Sequence, residues 1–298
     1  MSEGFAAALP DFDLLWNFSQ PAQTQTKFEE LRPQFQKSKN QDLFLQLQTQ
    51  IARAQGLQKK FDEAEKTLGD VKKNLTEKTP VAEIRYYLEQ GRVFNSSKRK
   101  DLASAPFLKA FELATTRHQD NFAVDAAHMM GIIESTPAKQ MEWNLKALGL
   151  AEKSKEEKAR NWLGSLYNNM GWTYHDAGQF QQALDIFQKA LHFREEKGKT
   201  DSIRIAKWAV ARALRSLKKY DDALIIQLAL EKEHAQNKSS DGYVFEELAE
   251  LYLAQSKKDL AQKYFALAYD ELSKDDWFKD NEAKRLARIK ELSLIKTK

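Results

Sequence analysis

In the stretch SLYNNMGWTYHDAGQFQQALDIFQKAL, small and aromatic residues stand among polar ones at fixed steps: Gly171, Tyr174, Ala183, Phe187 and Ala190. The same steps recur at Gly91, Phe94, Ala103, Phe107 and Ala110, and again at Ala249, Tyr252, Ala261, Phe265 and Ala268. Weaker copies run through Ala52, Gln55, Ala64, Leu68 and Val71 and through Ala211, Leu214, Ala223, Gln227 and Leu230, with a degenerate one between Phe122 and Ala151. Residues three or four apart share a helix face, so each copy predicts two helices. The small residues let two backbones approach, and the aromatic fills the space beside the crossing. Ala190 stays on the same buried stripe, where it admits the helix of a neighbouring unit. Between the helices, HDAGQF, NSSKRKDL and AQSKKDL are polar turns. The pattern therefore predicts about six helix-turn-helix units stacked side by side.

The flanks read differently. Residues 12–18 and a helix beginning near Ser19-Gln20-Pro21 predict an N-terminal lid, with Ser19 as cap and Pro21 in the first turn. At the other end Leu286, Ile289, Leu292 and Ile295 fall every third residue on a Lys/Arg-rich helix, the polar-faced cap that a stack of repeats requires. The expected divisions are residues 1–44, 45–275 and 276–298. Composition supports helices throughout. The 298 residues include only 11 Gly and 6 Pro, and no proline follows Pro137. Sheets draw their frequent turns from these residues, so an all-β fold is excluded.

This pattern resembles the tetratricopeptide repeat, whose signature has Leu-Gly, then Tyr, then Ala, Phe and Ala at these separations. The resemblance covers roughly Leu45 to Lys274 and is strongest at Ile84–Arg117, Gly164–Lys197 and Gly242–Asp275. Two features depart from it: the closing Pro is absent from the strong copies, and Val71, Ala110, Ala147, Ala190, Leu230 and Ala268 are spaced more widely than the signature's 34 residues. Strings such as DGYVFEELAELY look like those of free-standing bacterial tetratricopeptide proteins of unassigned function. The resemblance implies an all-α, right-handed superhelical solenoid and a protein or peptide partner. A clamp for a chaperone's terminal carboxylate, built in some such proteins from Lys and Asn, is not reproduced, since Trp172, Trp208, Asn168 and Arg212 stand at the corresponding positions.

Charge and chemistry narrow the reading further. The formal charge of +4 is carried by the last twenty residues, where seven Lys or Arg face three Asp or Glu. The body is neutral, which argues against a nucleic-acid surface and leaves the basic C-terminal helix as a minor candidate for anionic surfaces. No run is apolar enough to span a membrane, and Phe5 to Leu9, stopped by Pro10, lacks the basic start of a signal peptide. The absence of Cys suits a reducing compartment, so a cytoplasmic location is expected, and the Asn-x-Ser/Thr triplets at Asn17, Asn74, Asn95 and Asn237 are coincidences. No metal-ligand spacing, phosphate loop or nucleophile motif is present. Asp125 and His128 make the best acid/base pair available, without a nucleophile or metal set beside them. No enzymatic activity, cofactor or metal is expected.

Function is then sought on the first helix of each unit, whose residues off the packing stripe face a groove. These include Arg53, Arg85, Arg92, Asn95, Asp125, Asn168, Trp172, His175, Trp208, Arg212, Arg215, Glu246 and Glu250. Among them Arg92, Asn95, Asn168, Trp172, His175, Trp208, Arg212 and Arg215 are the candidate partner-binding set. Trp supplies buried area, Arg orientation and Asn a backbone partner. The bland reading stands beside it: the tryptophans pack on each other and the arginines pair with groove carboxylates. Trp16, Trp143, Trp162 and Trp277 are expected as core or cap aromatics, and His192 and His234 as solvent-facing. The expected function is a non-enzymatic adaptor holding a peptide or protein segment, with a peptide or small-signal sensor acting by superhelix rearrangement as the alternative. Replacing Arg92 and Arg212 by Glu is expected to weaken binding while costing about 0.5 kcal/mol of stability per site.

Overall fold

The computed structural model describes residues 11–294. The expectations for Phe5–Leu9, Pro10 and Ile295 lie outside the described residues. The chain is an all-α helical-repeat solenoid, with no strand among the described residues. A 3₁₀ turn at Phe12–Leu15 precedes α1 (Pro21–Gln36). Three hairpins follow: α2 (Gln41–Leu57) with α3 (Phe61–Lys73), α4 (Pro80–Ser96) with α5 (Lys100–Thr116), and α6 (Asp120–Ile133) with α7 (Pro137–Lys153). A short helix, α8 (Glu157–Arg160), closes this first compact unit, Met1–Trp162. The second unit, Leu163–Lys298, holds α9 (Leu163–Asp176) with α10 (Phe180–Lys197), α11 (Thr200–Ser216) with α12 (Tyr220–Gln236), and α13 (Gly242–Ala254) with α14 (Lys258–Leu272), then α15 (Asp276–Asn281) and α16 (Ala283–Leu294).

The repeated small residues do what their spacing demands. A Cβ placed on Gly91 would stand 2.5 Å from the Phe107 ring, and one on Gly171 would stand 2.3 Å from Phe187. Both aromatics are fully buried, as are Ala103, Ala183, Ala249 and Ala261. Except between α6 and α7, the hairpin turns share one geometry, in which the second residue after the first helix enters the left-handed region and its N–H closes back on that helix. Gly178 (φ 74°) fills this position between α9 and α10, but Lys59, Lys98, Lys218 and Ser256 fill it elsewhere, with φ of 61–64°.

One local expectation is corrected. Ser19 does not cap α1: Gln20 occupies the cap position without a side-chain bond, and the Ser19 hydroxyl donates to Asn17 Oδ1 at 2.7 Å. Proline does not always break a helix here, since Pro33 lies inside α1 and Pro106 inside α5. α16 packs Leu286, Ile289 and Leu292 against the core of the α13–α14 hairpin.

Candidate functional site

In the first unit, side chains from α2, α4 and α6 meet on one shared face. Arg92 is its centre. Its guanidinium donates to both oxygens of Asp125 at 2.5 and 2.6 Å and to Glu89 at 2.7 Å, while Glu89 also lies 3.7 Å from Arg53. The Arg92 side chain is 15% exposed and Glu89 only 2%. Burial alone would weaken the basicity of Arg92, but the carboxylates of Asp125 and Glu89 outweigh it and hold the group charged. The expectation that Arg92→Glu would cost little stability is therefore corrected. Such a change would place a third carboxylate against two buried ones.

Asn95 lines a cavity of about 210 Å³ beside Arg92, and its buried Oδ1 has no hydrogen-bond partner. His128 does not engage Asp125. Both oxygens of Asp125 are spent on Arg92, the buried Nδ1 of His128 has no partner, and the ring packs 5.0 Å from Trp162. Burial pushes the His128 imidazole down from its ordinary value. An acid/base pair is not assembled.

In the second unit, α9, α11 and α13 share the equivalent face. Trp172 and Trp208 pack with centroids 5.8 Å apart, and Trp208 meets Tyr243 at 6.1 Å while its indole N–H donates to the Tyr243 carbonyl at 3.0 Å. These rings are half-buried and continue the core, Trp172 standing 5.0 Å from Phe187. His175 lies 5.3 Å from Trp172 with Nε2 2.9 Å from the Ser216 hydroxyl, and burial followed by the nearby Arg212 keeps it below its ordinary value. Arg215 forks Glu247 at 2.5 and 3.1 Å, and Arg212 donates to Ser216 with Glu247 at 3.8 Å. Asn168, like Asn95, keeps a buried Oδ1 without a partner. Arginines from α16 join this face: Arg285 forks Glu246 at 2.7 and 2.6 Å, and Arg288 bonds Glu250. Two basic residues of the C-terminal helix are thus turned inward.

The structure brings together the candidate set in two groups, Arg92 and Asn95 in the first unit and Asn168, Trp172, His175, Trp208, Arg212 and Arg215 in the second. It also adds residues that sequence reasoning passed over. Trp16 and Trp162, expected as core or cap, line a cavity of about 340 Å³ on the first unit's shared face, together with Arg85, Phe122 and Asp13. Sequence spacing gives no signal for Asp13, which lies outside every repeat. His234, expected to face solvent, is 13% exposed and contacts Ser239 at 3.1 Å, whereas His192 is 77% exposed. Among the described residues no cluster of three or more His, Cys, Asp or Glu could hold a metal, and no helix is long and apolar enough to cross a membrane. The chemistry these faces offer is recognition: guanidinium for carboxylate, amide for backbone, indole for apolar surface.

The tetratricopeptide-repeat family model matches residues 163–197, the α9–α10 hairpin. The chain carries a tetratricopeptide repeat. Solved structures extend the likeness to the rest of the array. A Rap protein complexed with Competence and Sporulation Factor is 17% identical with a TM-score of 0.63, the match covering 92% of this chain and 77% of that one. NprR in complex with its cognate peptide NprX is 17% identical with a TM-score of 0.58, covering 91% and 78%. A tetratricopeptide repeat protein from Parabacteroides merdae is 15% identical with a TM-score of 0.54, covering 95% and 99%. No curated protein matches the sequence. At these identities the likeness is one of tetratricopeptide fold.

Proposed function

We propose that the protein is a non-catalytic binding module that holds a peptide or protein segment on the shared faces of its first helices. The observation that carries this reading is the pair of buried, unpartnered amide oxygens of Asn95 and Asn168, one in each unit. A buried acceptor without a donor costs on the order of 1–3 kcal/mol, and a peptide N–H supplies the missing donor. The arginines and tryptophans around them suit the same task. One solved structure of similar fold is NprR in complex with its cognate peptide, which supports a peptide as the ligand.

The test is to pan a random peptide library on the purified protein and measure the selected peptides by fluorescence anisotropy. Asn95→Ala with Asn168→Ala should weaken binding at least tenfold without lowering the melting temperature, because the oxygens removed have no partner to lose. A library that yields no binders, or binders indifferent to both substitutions, would overturn the reading. The alternative is a sensor that rearranges on binding. A ligand-dependent change in the scattering radius distinguishes the sensor from a static adaptor.

A further inference from the structure

The buried arginines of the two units differ in where their carboxylates come from. Arg92 and Arg215 are matched by acids on first helices of the stack, Asp125 with Glu89 and Glu247 respectively. Arg85 is not. Its side chain is 7% exposed, it stacks 4.8 Å from the Phe122 ring, and its Nε is buried without a partner. Among the described residues its ion pair is with Asp13, whose two oxygens each accept from Nη2 at 3.1 Å. Asp13 belongs to no repeat; it sits in the segment 11–18, before α1.

That segment is laid across the shared face of the first unit as a ligand would be. Its backbone is a single 3₁₀ turn with extended residues at Asp11 and Trp16. Lys158 reaches Asp11 at 2.6 Å and Asp13 at 3.3 Å. Three residues after Asp13, the Trp16 indole donates to Gln50 Oε1 at 2.9 Å and stacks on Phe18, while the Arg53 guanidinium stands 5.3 and 5.2 Å from the two rings. The hold is incomplete. Leu14 is 81% and Phe18 58% exposed, and the cavity of about 340 Å³ opens beside Asp13 and Trp16. Phe12 is sunk into a core, against Phe28 and Phe35 of α1, with Leu15 and Trp16 packed at the edge of that core, so Phe12 can remain as a tether while the rest of the segment moves.

We propose that the shared face of α2, α4 and α6 is a receptor for a peptide segment carrying a carboxylate and, three residues later, an aromatic ring, and that residues 11–18 occupy it as an internal stand-in. This rests on the reading of the first helices as the binding surface. The contacts that Asp13 and Trp16 make with Arg85, Lys158, Arg53 and Gln50 are ones a ligand of the same chemistry can make in their place: a carboxylate on Arg85 and Lys158, an aromatic between Arg53 and Gln50. The exchange is therefore nearly balanced in contacts. What favours the segment is its tether, which raises its local concentration to the millimolar range. An outside ligand binds with an affinity reduced by the fraction of molecules in which the face is free, so weakening the segment must strengthen the ligand.

The experiment titrates a fluorescein-labelled peptide with the sequence of residues 11–18 into full-length protein and follows anisotropy. Asp13→Asn is near isosteric and leaves Phe12 in its core; circular dichroism and a thermal melt confirm folding, and Asp13→Asn with Trp16→Ala gives a second, more fully released form. The peptide should bind the Asp13→Asn protein at least tenfold more tightly than wild type. Arg85→Gln in the released background should abolish the gain, as should a peptide whose own carboxylate at the Asp13 position is replaced by Asn. Equal binding to wild-type and released forms, binding to neither, or binding indifferent to Arg85→Gln would overturn the proposal. Peptides selected from a random library separate the two failures. If those bind and remain sensitive to Asn95→Ala and Asn168→Ala, only the stand-in is refuted. If nothing binds, the reading of the first helices fails with it.

Discussion

Both units set arginines and carboxylates on the shared face of their first helices, and in both an element outside the hairpins completes the charge balance. The completing elements are of different kinds. In the second unit it is α16, a regular helix whose Leu286, Ile289 and Leu292 are packed on the core, and which delivers Arg285 and Arg288 to Glu246 and Glu250. In the first unit it is a short irregular segment that delivers Asp13 to Arg85 and leaves Leu14 and Phe18 in solvent. Removing α16 would expose a hydrophobic face, whereas lifting Asp13 to Phe18 would expose the charge of Arg85, which another carboxylate can satisfy, and the Phe28 edge under Trp16, which another aromatic can cover. One unit is sealed by packing and the other is closed by exchangeable ion pairs.

The largest test of this contrast is at the ion pairs themselves. Arg92→Ala should destabilise the protein by about 3–5 kcal/mol in urea melts, because it strands the buried carboxylates of Glu89 and Asp125. Arg285→Ala should cost less, since its own side chain is 34% exposed and it strands one buried carboxylate, Glu246, where Arg92 strands two. Equal losses would show that the two faces are equally dry. The hairpin cores provide the control, a place where the units should agree. Gly91→Ala and Gly171→Ala both drive a Cβ into a buried Phe ring, and Ala183→Leu overfills the same crossing, so each should cost about 1–3 kcal/mol. A clear disagreement between Gly91→Ala and Gly171→Ala would mean the two hairpins are not the same structure.

A subtler test uses acid. Burial works to raise the Asp13 carboxyl, but Arg85 and Lys158 outweigh it and hold the group below its ordinary value. A depressed acid contributes stability that is full above its unfolded pKa of about 3.9 and is lost as the pH falls through the lower folded value. Glu246 behaves oppositely: burial outweighs Arg285 and raises it. Its contribution is full below the unfolded value of about 4.3 and is lost as pH rises through the higher folded one. Urea midpoints taken below pH 6 should therefore show Asp13→Asn flattening an acid-induced loss and Glu246→Gln flattening an opposing gain. Superimposable profiles for the two variants would break the comparison.

The hairpins were legible because their cause is local. A Gly or Ala facing an aromatic at a fixed step can be read without knowing what else touches it, and Gly91 with Phe107 and Gly171 with Phe187 meet as the spacing requires. The faces of the first helices were legible as composition, since Arg92, Trp172 and Arg215 stand on them. Their pairings were not. Whether Arg92 is a free hook or a buried strut depends on Asp125, 33 residues away on another helix, and no periodicity links the two. Asp13 was hidden more deeply, because it reaches Arg85 across 72 residues from a segment with no repeat pattern. Trp16 read as a cap aromatic for the same reason. Distance along the chain, and not weakness of the contact, set the limit.

The smallest effect is also the most local, and it again sets the units side by side. The turn between α9 and α10 has Gly178 in the left-handed region, while the equivalent turn between α4 and α5 places Lys98 there at φ 64°. Both close with the same pair of backbone bonds: Gly178 and Lys98 donate to His175 and Asn95, and the following residues to Tyr174 and Phe94. A side chain in that region costs about 1–2 kcal/mol, part of which glycine returns through the freedom of its unfolded chain. Lys98→Gly should therefore raise stability by about 0.5–1 kcal/mol, and Gly178→Ala should lower it by a similar amount or slightly more. The two changes have opposite signs only if the turns are the same turn. Melting temperatures of the two variants and their double mutant, which should return close to wild type, decide it.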